Sequence, residues 1–68
     1  MNIDHLVKMA NEIAAFYVAE SSDEAAKNVA SHLTRFWEPR MRKAIIERNK
    51  EGGEGMKEVV RQAVELLS

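Results

Sequence analysis

The stretch Ile3-Asp4-His5-Leu6-Val7-Lys8-Met9-Ala10-Asn11-Glu12-Ile13-Ala14-Ala15-Phe16-Tyr17-Val18-Ala19-Glu20 decides the fold. It lacks the strict alternation of apolar and polar residues that a half-buried strand requires. Its apolar residues return instead at helical spacing. At 100° per residue, Phe16, Met9, Ile13, Leu6, Tyr17, Ala10, Ile3, Ala14, Val7 and Val18 cover about 200° of one face. An ordinary surface helix needs a stripe only somewhat wider than about 100°. The segment therefore reads as a helix with more apolar surface than one neighbour can cover.

Three punctuation points follow it. Ser21-Ser22-Asp23-Glu24 fits a capping box, with Ser21 and Glu24 three residues apart, and Ser22 or Asp23 could also cap. Trp37-Glu38-Pro39 interrupts the next helix, because proline suits only a first turn and biases Glu38 towards extended backbone. Gly52-Gly53-Glu54-Gly55 reads as a helix stop and turn. The segments are thus 3–20, 22–37, 39–51 and 55–67, all rich in good helix formers. The expected architecture is all-α, a single helical domain over 1–68. It is a small bundle of four short helices, or of three with a loosely packed C-terminal helix.

The second segment presents Ala25, Ala26, Val29, Ala30, Leu33, Phe36 and Trp37 as its apolar face. The fourth presents Met56, Val59, Val60, Ala63, Val64, Leu66 and Leu67. The third is narrower, with Met41, Ala44 and Ile45 in a stripe and Ile46 set apart among cations. Four such short helices cannot cover all this apolar arc among themselves. Either the first lies centrally or part of its face awaits another chain, as uncovered apolar patches usually do.

Composition narrows the function. The chain has 68 residues, 10 Lys plus Arg against 11 Asp plus Glu, 46% apolar residues and no cysteine. That excludes disulfides, thiolate metal sites and cysteine nucleophiles. Below roughly 70–80 residues a core supplies only a few kcal/mol, so a partner is a natural support. The longest apolar run, Ile13 to Ala19, is far short of the roughly 20 residues of a membrane span. Asp4 and His5 stand where a leader would be basic and then apolar. The expectation is a soluble cytoplasmic protein with no membrane role.

No constellation for chemistry emerges. His5 is followed at helical spacing by Lys8 and Met9, and His32 is flanked by Asn28, Val29, Arg35 and Phe36. Neither has a second ligand on its own face, so both read as boundary histidines with local hydrogen bonds, and no metal is expected. The carboxylates map to polar faces or helix starts, and no serine or threonine lies in a nucleophile motif. The glycine turn follows a helix rather than a strand, and Glu51 and Glu54 would repel a phosphate. No cofactor is expected, and the chain does not read as an enzyme.

Charge is segregated. Residues 1–26 carry −4, residues 27–50 carry +5 and residues 51–68 carry −2. Arg35, Arg40, Arg42, Lys43, Arg48 and Lys50 surround Trp37 and Pro39. Three readings stay open for this segment: a protein contact, a solvated face, and a nucleic-acid surface. Glu38 and Glu47 interrupt it, and Glu47 could pair with Lys43 and Lys50. Nucleic acid is the least favoured of the three.

Three blocks carry a family resemblance. Ile3 to Ile13 resembles the start of the small delta subunit of bacterial NAD-dependent formate dehydrogenase. Ala30-Ser31-His32-Leu33-Thr34-Arg35-Phe36-Trp37-Glu38-Pro39-Arg40-Met41-Arg42 resembles that family's central signature. Gly52-Gly53-Glu54-Gly55-Met56 followed by Val59-Val60-Arg61-Gln62-Ala63 is similar in layout to its tail. The resemblance implies an accessory role. Molybdenum with its pterin, iron–sulfur clusters and flavin belong to the larger subunits, and the delta subunit supports assembly or stability. The partners so implied are the larger formate dehydrogenase subunits. His32, Arg35, Trp37, Arg40, Arg42 and Ile46 are the expected contact residues, with Pro39 fixing the corner. The alternatives are a nucleic-acid-binding module using residues 35–50 and a structural homo-oligomer. A homodimer in isolation would be compatible with the first reading.

Overall fold

The computed structural model describes residues 2–67. Helix α1 spans Ile3–Glu20, a 3-10 turn spans Ser22–Glu24, and α2 spans Ala25–Phe36. Helix α3 spans Pro39–Lys50 and α4 spans Glu58–Leu67. Among the described residues there is no strand. The fold is a small all-α bundle of four helices, as the apolar periodicity predicts.

Each boundary has a local cause. Asn2 caps α1, its side-chain oxygen accepting from the backbone N–H of Asp4 at 2.9 Å and of His5 at 3.4 Å. The capping box expected at Ser21 and Glu24 does not form. Ser21 is the extended C-cap of α1, donating its N–H to the Tyr17 carbonyl, and its side chain makes no capping bond. Two helices meet too closely there for a separate N-terminal cap, and a 3-10 turn fills the corner instead. Pro39 stands at the first turn of α3, and Glu38 before it is extended, as its sequence requires. Helix α3 ends in a Schellman motif. The Gly53 N–H donates to the Arg48 carbonyl at 2.9 Å and the Gly52 N–H to Asn49 at 3.2 Å. Gly52 and Gly53 both have positive φ, which only glycine adopts cheaply.

The core joins all four helices. Leu33, Ile45, Val29, Val60 and Val64 are its largest fully buried side chains. Leu6, Val7, Ala10 and Ala14 contribute the inner face of α1. Helix α4 packs most extensively against α2, so it is integral to the bundle and not loosely attached. It starts at Glu58, three residues later than the glycine turn suggests. Met56 is nevertheless buried, because the turn carries it back under the core.

Four large side chains assigned to apolar faces are exposed instead. Phe16 is 60% exposed, Val18 41%, Phe36 69% and Leu66 60%. Phe16 lies at the edge of the wide α1 arc, and Phe36 and Leu66 lie in last turns, where no helix passes over them. Trp37 goes the other way and is 5% exposed within the core cluster. Ile46 also packs against that cluster, although the helical wheel sets it apart.

Candidate functional site

The two ends of the bundle differ in how their polar and aromatic groups are used. Helix α3, the Gly52–Gly55 turn and α4 are laced together by side chains. Asn49 is buried, accepts from Arg61 Nε at 2.9 Å and donates to a Glu65 carboxylate oxygen at 3.2 Å. Arg48 donates to the Glu54 carbonyl at 3.1 Å and pairs with Asp4 of α1 at 3.0 Å. Asn11 clamps the turn from α1. It donates to the Gly55 carbonyl at 2.9 Å and accepts from the Lys57 N–H at 3.1 Å.

Arg42 has a similar task. Its guanidinium reaches back to the C-terminal end of α2 and donates to the carbonyls of Leu33, Thr34 and Trp37. The Leu33 carbonyl also accepts from the Trp37 N–H, whereas those of Thr34 and Trp37 lie at the very helix end, where acceptors lack intrahelical partners. A cation there also meets the negative end of the helix dipole. Arg42 therefore acts as a C-terminal cap for α2 from the next helix.

The basic segment is thinner at the surface than its sequence suggests. Arg42 and Arg48 are half-buried in internal bonds, and Lys27 faces Glu24 at 3.7 Å. Glu47 forms no ion pair with Lys43 or Lys50 among the described residues; the ion pairs found there are Lys27–Glu24 and Arg48–Asp4. Arg35, Arg40, Lys43 and Lys50 are exposed.

On α1 and α2 four rings are linked by successive contacts. Phe16 and Tyr17 meet edge to face at 5.2 Å between centroids. Tyr17 meets His32 across the α1–α2 seam at 6.1 Å. His32 then meets Phe36 one turn along α2 at 4.8 Å. Such geometries are favourable for aromatic pairs. The middle two rings are half-buried and the outer two exposed. His32 is half-buried at the helix boundary, as expected, but among the described residues it makes these ring contacts in place of the expected local hydrogen bond.

Of the residues singled out in the sequence, His32 belongs to this row. Arg35 and Arg40 are exposed near its Phe36 end along the chain, and exposed Pro39 shapes the α2–α3 corner. Trp37 is buried and Arg42 half-buried at that corner, and half-buried Ile46 packs against the core further along α3. Phe16, Tyr17 and Phe36 were not among them. Their signal was present in the width of the α1 arc and in the position of Phe36 just before the helix break. Among the described residues, no three His, Asp or Glu side chains gather as metal ligands. Nor is any helix long and apolar enough to cross a membrane.

The fold and this surface define a small all-α bundle with an uncovered aromatic face at one corner. A family model described as the NADH-dependent formate dehydrogenase delta subunit FdsD matches residues 5–64. The chain belongs to that family. No curated protein and no solved structure matches it.

Proposed function

We propose that this chain is a non-catalytic subunit that docks on the larger subunits of a cytoplasmic NADH-dependent formate dehydrogenase and supports their assembly or stability. The observation that carries the reading, beside the family, is the exposure of Phe16 and Phe36 at the two ends of one aromatic row. Leaving large rings in water forfeits roughly 25 cal/mol for each Å² of apolar surface that a partner would cover. Aromatic and arginine side chains are also the types that dominate binding hot spots.

The roles divide by depth. Phe16, Phe36 and His32 supply apolar and ring contact, and Arg35 and Arg40 supply carboxylate pairing. Pro39, Trp37 and Arg42 fix the α2–α3 corner next to Phe36, and Ile46 packs against the core from further along α3. No cofactor of its own enters this role.

The test is a tagged full chain recovered from its native cells, with mass spectrometry of what co-elutes. Co-elution of the larger formate dehydrogenase subunits is expected, together with a lower yield of assembled enzyme in cells lacking the chain. An enzyme that assembles in full yield without the chain and never co-elutes with it would refute the proposal.

A further inference from the structure

The chain between α3 and α4 is tied down by side chains that reach it from elsewhere. Asn11 of α1 donates to the Gly55 carbonyl at 2.9 Å and accepts from the Lys57 N–H at 3.1 Å. These two bonds bracket Met56, which is buried in the core cluster. Arg48 of α3 donates to the Glu54 carbonyl at 3.1 Å. Residues 54–57 thus form a strap that lies over Val7, where a Cβ on Gly55 would come within 3.6 Å of Val7 Cγ1.

Helix α4 has no start signal of its own. Lys57 is its N-cap, since the Lys57 carbonyl accepts from the Arg61 N–H at 3.0 Å. A lysine side chain has no acceptor, and Val60 at the third helical position has no polar side-chain atom. Neither half of a capping box can therefore form within α4. Asn11 supplies one half from α1, accepting from the N-cap N–H as a glutamate at the third position would. With 10 residues, α4 is also shorter than the roughly 12–15 that are marginal alone in water. The start of α4 therefore depends on a side chain 46 residues away in sequence.

The ties of the strap are more accessible than what lies under it. The bonds from Asn11 and Arg48 are at the surface, and an open groove lined by Val7, Asn11, Arg48 and Gly55 gives water a path to them. Segments held by solvent-exposed hydrogen bonds open at less free energy than core helices. The rest of α4 is held differently. Val60, Ala63 and Val64 are buried, and α4 packs most extensively against α2. An opening that starts at Asn11 stops where Val60 enters the core.

We infer that Asn11 is a latch: residues 54–57 lift from α1 and close on it as one strap, carrying Met56 out of the core and back while the rest of the bundle stays folded. With the strap lifted, Val7 loses its cover. The device belongs to the isolated chain and operates whether or not the chain docks on a larger subunit.

The experiment is native-state hydrogen exchange of the isotopically labelled full chain, followed by NMR near neutral pH without denaturant. The amides of Met56, Lys57 and Arg61 donate to Gly53, Asn11 and Lys57, and so report the strap. Those of Val29 and Leu33, in the buried part of α2, report the whole fold. The strap amides are expected to share one opening equilibrium and to exchange about 100-fold or more faster than those of α2. Asn11→Ala should speed the strap amides together by about 10-fold or more beyond any change in α2, for two lost bonds. Asn11→Asp keeps the acceptor for Lys57 but, ionised, cannot donate to Gly55, and its effect should be smaller than that of alanine.

Strap amides that exchange no faster than those of α2 open only when the whole chain unfolds, and that result overturns the inference. An Asn11→Ala chain in which every amide speeds up equally, or which loses its fold outright, does so as well. An Asn11→Asp chain whose strap exchanges as fast as that of Asn11→Ala removes the Lys57 bond from the latch and overturns the inference too.

Discussion

The polar corner formed by α3, the glycine turn and α4 contrasts with the aromatic row on α1 and α2. In the first, side chains with chemistry to offer are already engaged. Asn49, Arg61, Glu65, Arg48 and Asn11 all bond to groups within the chain. In the second, large side chains touch one another and then stop at solvent. The comparison teaches where function is to be sought. A satisfied buried network holds a fold together, whereas an unsatisfied apolar surface is stabilised only by something that arrives.

Substitutions can break this contrast, and core removal sets the upper limit. Trp37→Ala should cost about 3–5 kcal/mol, because a buried aromatic is lost and the α2–α3 corner is left hollow. For so small a domain that approaches the whole stability, and urea denaturation followed by circular dichroism should show little or no folded baseline. A Trp37→Ala chain as stable as the parent would mean that the ring is not part of the core.

The polar network should come next. Asn49→Ala removes the acceptor of Arg61 and the donor to Glu65 in a mostly buried place. The expected cost is about 1–3 kcal/mol, read as a lower urea midpoint with an unchanged slope. Gly53→Ala should rank close behind. It forces a left-handed conformation at φ +66°, at about 1–2 kcal/mol. Its new methyl would also lie 2.7 Å from Arg61 Nε. The Arg61 side chain can swing away only by giving up its bond to Asn49, so Gly53→Ala combined with Asn49→Ala should cost less than the two separately.

The smallest stability effect belongs to the aromatic row. Phe36→Ser should change the unfolding free energy by no more than about 0.5 kcal/mol, as surface replacements usually do. Its effect on co-purification of the larger subunits should be large. If Phe36→Ser instead unfolds the chain and Asn49→Ala leaves it intact, the assignment of the two regions is reversed.

The helices were legible in the sequence because their determinants are local. Apolar residues at helical spacing, Pro39 after an extended Glu38, and glycines where φ must be positive act within a few residues. The candidate site was legible only in part. The arc of α1 is too wide for its neighbours, which announced an uncovered face but not its members. His32, Arg35 and Arg40 were found through the central block of family resemblance. A helical wheel puts Phe16 and Phe36 on apolar faces, because it records direction and not whether a neighbour reaches that far. A charge count makes Arg42 a surface cation, because it cannot register that the carbonyls of Leu33, Thr34 and Trp37 lie within reach of its guanidinium.

By itself the sequence determined an all-α chain, its four helices with the starts of α2 and α4 three residues too early, the lack of any cysteine chemistry and the family. These rest on backbone sterics, local spacing and residue identity. Tertiary structure alone decided which apolar residues are covered, which cations are taken up internally and which rings meet across the α1–α2 seam. Those outcomes depend on where helices end relative to one another. Burial and pairing are properties of two surfaces in register, and no single stretch of chain contains both.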